Sequence, residues 1–327
     1  MPTGLNPDAI IECVPNFSEG TDEGVVAEIV AAMQVEGVRL LDWTLDGAHN
    51  RSVVTIAGPP AAVVESAVRG VGRAAKLIDL TRQNGVHPRI GAADVVPFVP
   101  VSGVTLAQCA MLARQAGLEI WRRYGVPVYF YEAAAARPDR VNLEDVRRGQ
   151  FEGLRETAHK DAARRPDVGG PEIHPTAGAS AVGARQFLIA YNIFLAAADA
   201  DSAGRASGLP GSAQADITAA RAIARAIRAA SGGMHGVKAL GVVVNGRAQV
   251  SMNITDFRMT PMRQIHAAVR ELARNHGAVA KEGEIVGLVP QEAWEADAEW
   301  VREVPGFAPE TKVLERRLEH PLPWPGE

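Results

Sequence analysis

From His87 to Asp94 the sequence His-Pro-Arg-Ile-Gly-Ala-Ala-Asp sets an imidazole, a guanidinium and a carboxylate within eight residues of one another. An imidazole titrates close to neutrality, so His87 could take a proton from one atom and return it to another in a single turnover. Pro88 removes a backbone donor and biases His87 towards an extended conformation, while Gly91 permits a turn or a close approach. A loop entering a strand, with His87 as a structural histidine, is the plainer reading of the same residues. Three further stretches gather polar groups. Asp42 and Asp46 precede His49-Asn50-Arg51, which alone reads as an Asx-type turn with an exposed arginine. The run Gly169-Gly170-Pro171-Glu172-Ile173-His174-Pro175-Thr176-Ala177-Gly178 is either an interdomain linker or a shaped loop lining a ligand. Arg185, after Gly183-Ala184, is a fixed cation for a carboxylate or one half of a surface ion pair.

Other chemistries lack their signatures. There is no P-loop, no GxGxxG after a strand, no GxSxG and no HExxH. No two histidines stand four apart on a helical face; His49, His87 and His174 could converge with Asp42 or Asp46, yet no metal is expected. A net charge of -4 over 327 residues leaves no basic footprint for nucleic acid, so any anion has to be caught by a local Arg or Lys cluster. The two cysteines, Cys13 and Cys109, form no CxxC spacing, which points to a reduced compartment. Met1-Pro2-Thr3-Gly4 does not open a signal peptide, and no apolar run reaches the ~20 residues that span a bilayer. A cytoplasmic protein without membrane or nucleic-acid partners is expected.

The elements that must hold these groups follow from periodicity. Strands are expected at 9–14, 37–42, 52–58, 95–101, 127–131, 187–195, 237–244, 248–253 and 285–289. Helices are expected to start at Thr21, Pro60, Thr105 (with Gln108 completing a capping box), Ser212 and Thr260-Pro261. Asn245-Gly246 is a two-residue hairpin turn. The second half therefore runs strand, helix, strand, strand, helix, strand, the split βαβ order, and the first half opens the same way. The expected fold class is α+β: two ferredoxin-like α/β sandwich subdomains with mainly antiparallel sheets, residues 1–180 and 181–327. The Ala-, Arg- and Pro-rich stretch from Glu132 to about Asp167 has the composition of irregular or short helical connecting structure and is the expected domain boundary. The tail from about Trp294 is expected to pack across the surface or fray.

Val14-Pro15-Asn16-Phe17-Ser18-Glu19-Gly20, His49-Asn50-Arg51-Ser52, the His87–Asp94 motif, and Gly183-Ala184-Arg185 with Ala190-Tyr191-Asn192 occur in that order. From about Ile10 to Pro290 the chain resembles the formiminotransferase domain of the glutamate formimidoyltransferase family. The resemblance implies transfer of a formimino group from N-formimino-L-glutamate to N5 of tetrahydrofolate, the co-substrate, within histidine degradation. It implies His87 as the catalytic histidine and Gly169–Gly178 as the folate-binding loop. It also implies a homodimer, and a stand-alone transferase with no cyclodeaminase domain after Glu327. A formimino carbon is most electrophilic as a protonated cation, so Glu19, Asp42, Asp46 and Asp94 are candidate stabilisers. The carboxylates of the substrates would suit Arg51, Arg89 and Arg185, with His49 and Asn50 completing the donor site. Two other readings stay open. A paralogous folate-dependent transferase of formyl or another one-carbon group would keep His87 and the folate loop and change the contacts near Asp46 and His49. A non-catalytic ferredoxin-like ligand-binding protein would leave every property unchanged in His87→Ala.

Overall fold

The computed structural model describes residues 6–47, 49–83, 85, 88–198, 210–298, 300 and 304–327. They form two units, Met1–Gln186 with Pro321–Glu327, and Phe187–His320, each around its own hydrophobic core. Both are α+β with mostly antiparallel sheets.

The first unit begins with β1 (Ile10–Cys13) and β2 (Asn16–Phe17), one extended run interrupted at Pro15, which has no N–H to give a neighbouring strand. There follow α1 (Glu23–Ala32), β3 (Arg39–Asp46), β4 (Arg51–Gly58), α2 (Pro60–Leu77) and β5 (Ala93–Ser102). Both β1 and β2 insert antiparallel between β4 and β5, and β3 flanks β4. That is the split βαβ order anticipated for this half. The apolar face of α2 (Val63, Val64, Ala67, Val68, Val71 and Ala74) is buried throughout, as its helical spacing requires. At α1 the cap is Asp22 rather than Thr21: Asp22 accepts the Val25 N–H at 3.0 Å, while the Thr21 hydroxyl donates to Glu19.

After β5 the chain adds α3 (Leu106–Tyr124), β6 (Val128–Glu132), α4 (Leu143–Val146), α5 (Gln150–Thr157) and β7 (Ser180–Ala184). The capping box of Thr105 and Gln108 and the left-handed Gly125 bound α3 as expected. Between β5 and β6, β7 runs parallel to both. This strand moves the division of the chain to Gln186, beyond residue 180, because its backbone is paired on both sides within the first sheet. The stretch 132–167 forms short helices between β6 and β7, as its composition allowed, but lies inside this unit rather than at its boundary. Arg140, 3% exposed, pairs with Asp167 at 2.8 Å, and Val146, Phe151 and Leu154 join the core. The tail also returns here: the Leu322 N–H donates to Leu40 O at 2.7 Å and Trp324 packs into the core.

The second unit contains β8 (Ile189–Ala197), α6 (Pro210–Ile227), β9 (Val237–Val244), β10 (Arg247–Ile254), α7 (Met262–Asn275) and β11 (Ala278–Val286). Its sheet runs β11-β8-β10-β9, antiparallel at every pairing. Asn245 and Gly246 take φ of 50° and 76°, the conformation a two-residue hairpin turn requires. The last strand starts earlier than its apolar run, at Ala278, because a bulge between Ala280 and Gly283 lets a polar segment stay paired with β8. Ser212 falls inside α6, and the Thr260 hydroxyl bonds His235 O instead of capping α7. Three short helices close the unit: α8 (Gln291–Glu295), α9 (Pro309–Lys312) and α10 (Leu314–Glu319). No described helix is long and apolar enough to cross a membrane.

Candidate active site

Asp46 and Arg51 are register partners where β3 ends and β4 begins, and Asp42 lies four residues back along β3 on the same face. In the turn between the strands, Asp46 Oδ1 accepts the His49 N–H at 3.0 Å and Oδ2 lies 2.6 Å from His49 Nδ1. A carboxylate only accepts, so in the neutral ring Nδ1 carries the proton. Asn50, at φ 48°, accepts the Gly20 N–H through Oδ1 at 3.0 Å, and its carbonyl accepts from Gln83 Nε2 at 3.1 Å. Gly20 has no room for a side chain, since a Cβ there would lie 2.4 Å from Arg51 N. The loop 14–20 is thereby fastened to the turn.

Arg51 is half-buried, and burial, reinforced by the neighbouring Arg147 cation, pushes its pKa down to about 10 against the pull of Asp94 and Asp46. It stays cationic at neutral pH. Arg147, the residue that ends α4, donates from Nη2 to the carboxylate of Asp94. Asp94 is itself 1% exposed and accepts the Ile90 N–H at 2.8 Å. Arg147 Nε and Ser52 Oγ are buried with no hydrogen-bond partner among the described residues.

Arg89 is spent inside the unit. Its Nε donates to Gln83 Oε1 at 2.6 Å, and its Nη2 donates to Gln83 O at 3.1 Å and Glu152 Oε1 at 3.0 Å. The two flanks of the 84–88 segment are thus clamped to each other. Gly85 presses on the preceding turn, where a Cβ would lie 2.8 Å from His49 O. His87 lies outside the described residues, as do Asn84 and Val86. Beyond Arg89, Gly91 and Gly178 form an antiparallel bridge in which a Cβ on either would come within 2.1 Å of a carbonyl oxygen. The Ala92 N–H donates to Ala177 O and the Ala179 N–H to Ile90 O, each at 2.9 Å. The Ser18 hydroxyl bonds Gly91 O at 2.7 Å.

The Gly169–Gly178 loop divides by exposure: Ile173 and Ala177 are core residues, whereas Pro171, Glu172 and Pro175 are exposed. Gly169, at φ 78°, lies against the Trp121 ring. His174 Nδ1 accepts the N–H groups of Thr176 and Ala177 at 3.3 and 3.0 Å, which puts its proton on Nε2. Burial lowers its pKa below the usual histidine value. Arg185 stands apart from the 46–51 turn's partners: its Nη1 bonds Gln186 O, and its charge opposes the raised pKa values of Cys13 and Tyr131. Two residues that sequence reasoning missed are Arg147 and Gln83. Neither sits in a motif, and only the fold brings them to Asp94 and Arg89.

Four loops of the first unit therefore meet, bringing an oriented imidazole, paired carboxylates and two adjacent guanidinium groups into one neighbourhood. This is the equipment of a group-transfer enzyme acting on anionic substrates. Among the described residues no group of three or more His, Cys, Asp or Glu could hold a metal ion. The model of the formiminotransferase domain, N-terminal subdomain, matches residues 10–185, and that of the formiminotransferase domain matches residues 190–313. A glutamate formimidoyltransferase of Streptococcus pyogenes serotype M1 is 40% identical over 94% of this chain and 98% of its own length. One from Thermoplasma acidophilum is 40% identical over 95% and 98%. The formimidoyltransferase-cyclodeaminase of Mus musculus is 36% identical over 87% of this chain and 51% of its own. The chain belongs to the formiminotransferase family.

Proposed function

We propose that this chain is a glutamate formimidoyltransferase, moving the formimino group of N-formimino-L-glutamate to N5 of tetrahydrofolate to give 5-formiminotetrahydrofolate and L-glutamate. The observation that carries the reading is the hydrogen-bonded joining of loops 14–20, 46–51, 83–94 and 174–179. They bear the motifs of a chain 40% identical to two enzymes of that name. His87 acts as the single acid and base. It accepts the N5 proton as the new carbon–nitrogen bond forms, and gives it to the glutamate nitrogen as the old one breaks. Asp46, half-exposed and already tied to His49, balances the charge of the formimino cation. Arg51, with Arg147 beside it, anchors a donor carboxylate. Arg89, whose donors go to Gln83 and Glu152, is a positioning residue for the loop that carries His87. The exposed rim of the Gly169–Gly178 loop receives the folate, with His174 Nε2–H as a hydrogen-bond donor. The setting is one-carbon metabolism fed by histidine degradation, and the working form is a cytoplasmic homodimer.

The test is to mix purified protein with both substrates and follow the absorbance of the methenyl form after acid cyclisation. Wild type should turn over, and His87→Ala should lose about 10²–10⁴-fold in rate while still binding tetrahydrofolate. A His87→Ala protein as fast as wild type refutes the acid–base role. Folate binding without product in the wild type refutes the donor and favours another one-carbon group.

A further inference from the structure

In the second unit α6 and β9 border an open cavity of about 370 Å³, within the range of small-molecule sites. Its charged lining consists of Arg221 and Arg225, which four residues apart share one face of α6, and Arg228, in extended backbone just past the helix end. Among the described residues no acidic one lines it. Its floor is small: Ala224, Ala239 and Gly241, where a Cβ would lie 2.4 Å from Arg221 N. Elsewhere in the chain an exposed arginine commonly carries a carboxylate, as Arg69 does Glu65, Arg123 Glu119, Arg247 Glu282 and Arg258 Glu292. Among the described residues none pairs with Arg221 or Arg225, and Arg228 donates from Nε to Ser231 Oγ at 2.7 Å. Packing gives no reason for Arg221 and Arg225, which are exposed. Like charges one turn apart on a helix repel, and an anion bound across them removes that repulsion.

We propose that this cavity binds a small polyanion carrying at least two phosphate or carboxylate groups. At ~1.5 Å rise per residue Arg221 and Arg225 stand about 6 Å apart along α6, and Arg228 lies beyond its end, a spread greater than one such group spans. The edge strand β9 adds backbone to the wall. The site does not depend on the formimino-transfer reading, because none of its residues belongs to the loops of the first unit.

Isothermal titration calorimetry on the whole chain tests it, with tripolyphosphate and propane-1,2,3-tricarboxylate as probes and inorganic phosphate as the single-anion reference. At least one probe should saturate one site about tenfold or more tighter than phosphate, and the tighter probe assigns the anion class. Arg225→Gln, a single exposed substitution that leaves the fold in place, should weaken it about tenfold or more. The triple Arg221→Gln/Arg225→Gln/Arg228→Gln should abolish it. Arg258→Gln, on the same unit but outside the cavity, should bind as wild type does. The proposal is overturned if neither probe saturates, if the triple variant binds normally, or if Arg258→Gln loses as much as Arg225→Gln.

Discussion

Replacing Asp94 by Asn isolates the charge at the centre of the loop cluster. Asn keeps the shape and an oxygen for the Ile90 N–H, now 2.8 Å from Asp94 Oδ1, but takes the anion away from Arg147. The two side chains are 2% and 15% exposed, so water cannot replace the lost partner fully. Breaking a buried pair from one side costs about 3–5 kcal/mol. Partial access of water to Arg147 argues for the lower end, and the second cation at Arg51 argues against going below it. A loss of about 3 kcal/mol, roughly a hundredfold in the folding equilibrium, is therefore expected. In Asp94→Asn/Arg147→Met the uncompensated cation is gone while the Ile90 bond remains. The double variant should then cost about 2 kcal/mol less than the sum of the single ones. Urea unfolding of the four proteins, followed by fluorescence and circular dichroism with coincident transitions, measures that coupling. A coupling near zero would mean that the Asp94 charge does nothing for Arg147.

Gly178→Ala should lose about 2–4 kcal/mol in the same assay, because φ is 68° and the new Cβ meets Ile90 O at 2.1 Å; wild-type stability would exclude the bridge to Gly91. Under the proposed reaction, Arg51→Gln should raise KM for N-formimino-L-glutamate about 10–100-fold with a smaller change in kcat, as measured by steady-state kinetics. Arg89→Gln should instead lower stability and kcat, and the reverse pattern would exchange their roles. Burial holds the His174 pKa below its ordinary value when folded, so the unfolded chain takes up the proton first as pH falls. The stability this group contributes is complete above about pH 6.5 and declines below it. His174→Asn offers an oxygen to the same two N–H groups without titrating, so its urea midpoint should fall less between pH 7 and 5 than that of wild type. Equal slopes would remove His174 from the pH dependence.

What the sequence disclosed depended on whether the information was local. The apolar face of α2, the capping box of α3 and the Asn245-Gly246 turn each state their structure within a few residues, and each forms as expected. In contrast, Ser-Ala-Val-Gly-Ala of β7 has little strand preference of its own, and becomes a strand because β5 and β6 leave a fully buried slot between them. The site divides in the same way. That Asp46, His49 and Arg51 share a turn was visible, as was the grouping of Arg89 with Asp94. Which of these groups are already committed was not, because their partners come from far along the chain. Glu152 reaches Arg89 across 63 residues and Arg147 reaches Asp94 across 53. Three arginines, at positions 51, 89 and 185, looked equally able to hold a carboxylate. Arg89 is saturated by a clamp, and Arg185 bonds its neighbour's carbonyl and acts on Cys13 and Tyr131. Arg51 has a second cation beside it lowering its pKa, and an incoming carboxylate is the group that relieves two adjacent guanidinium charges at once. Donor specificity is therefore to be sought at Arg51 and Arg147 before either of the other two.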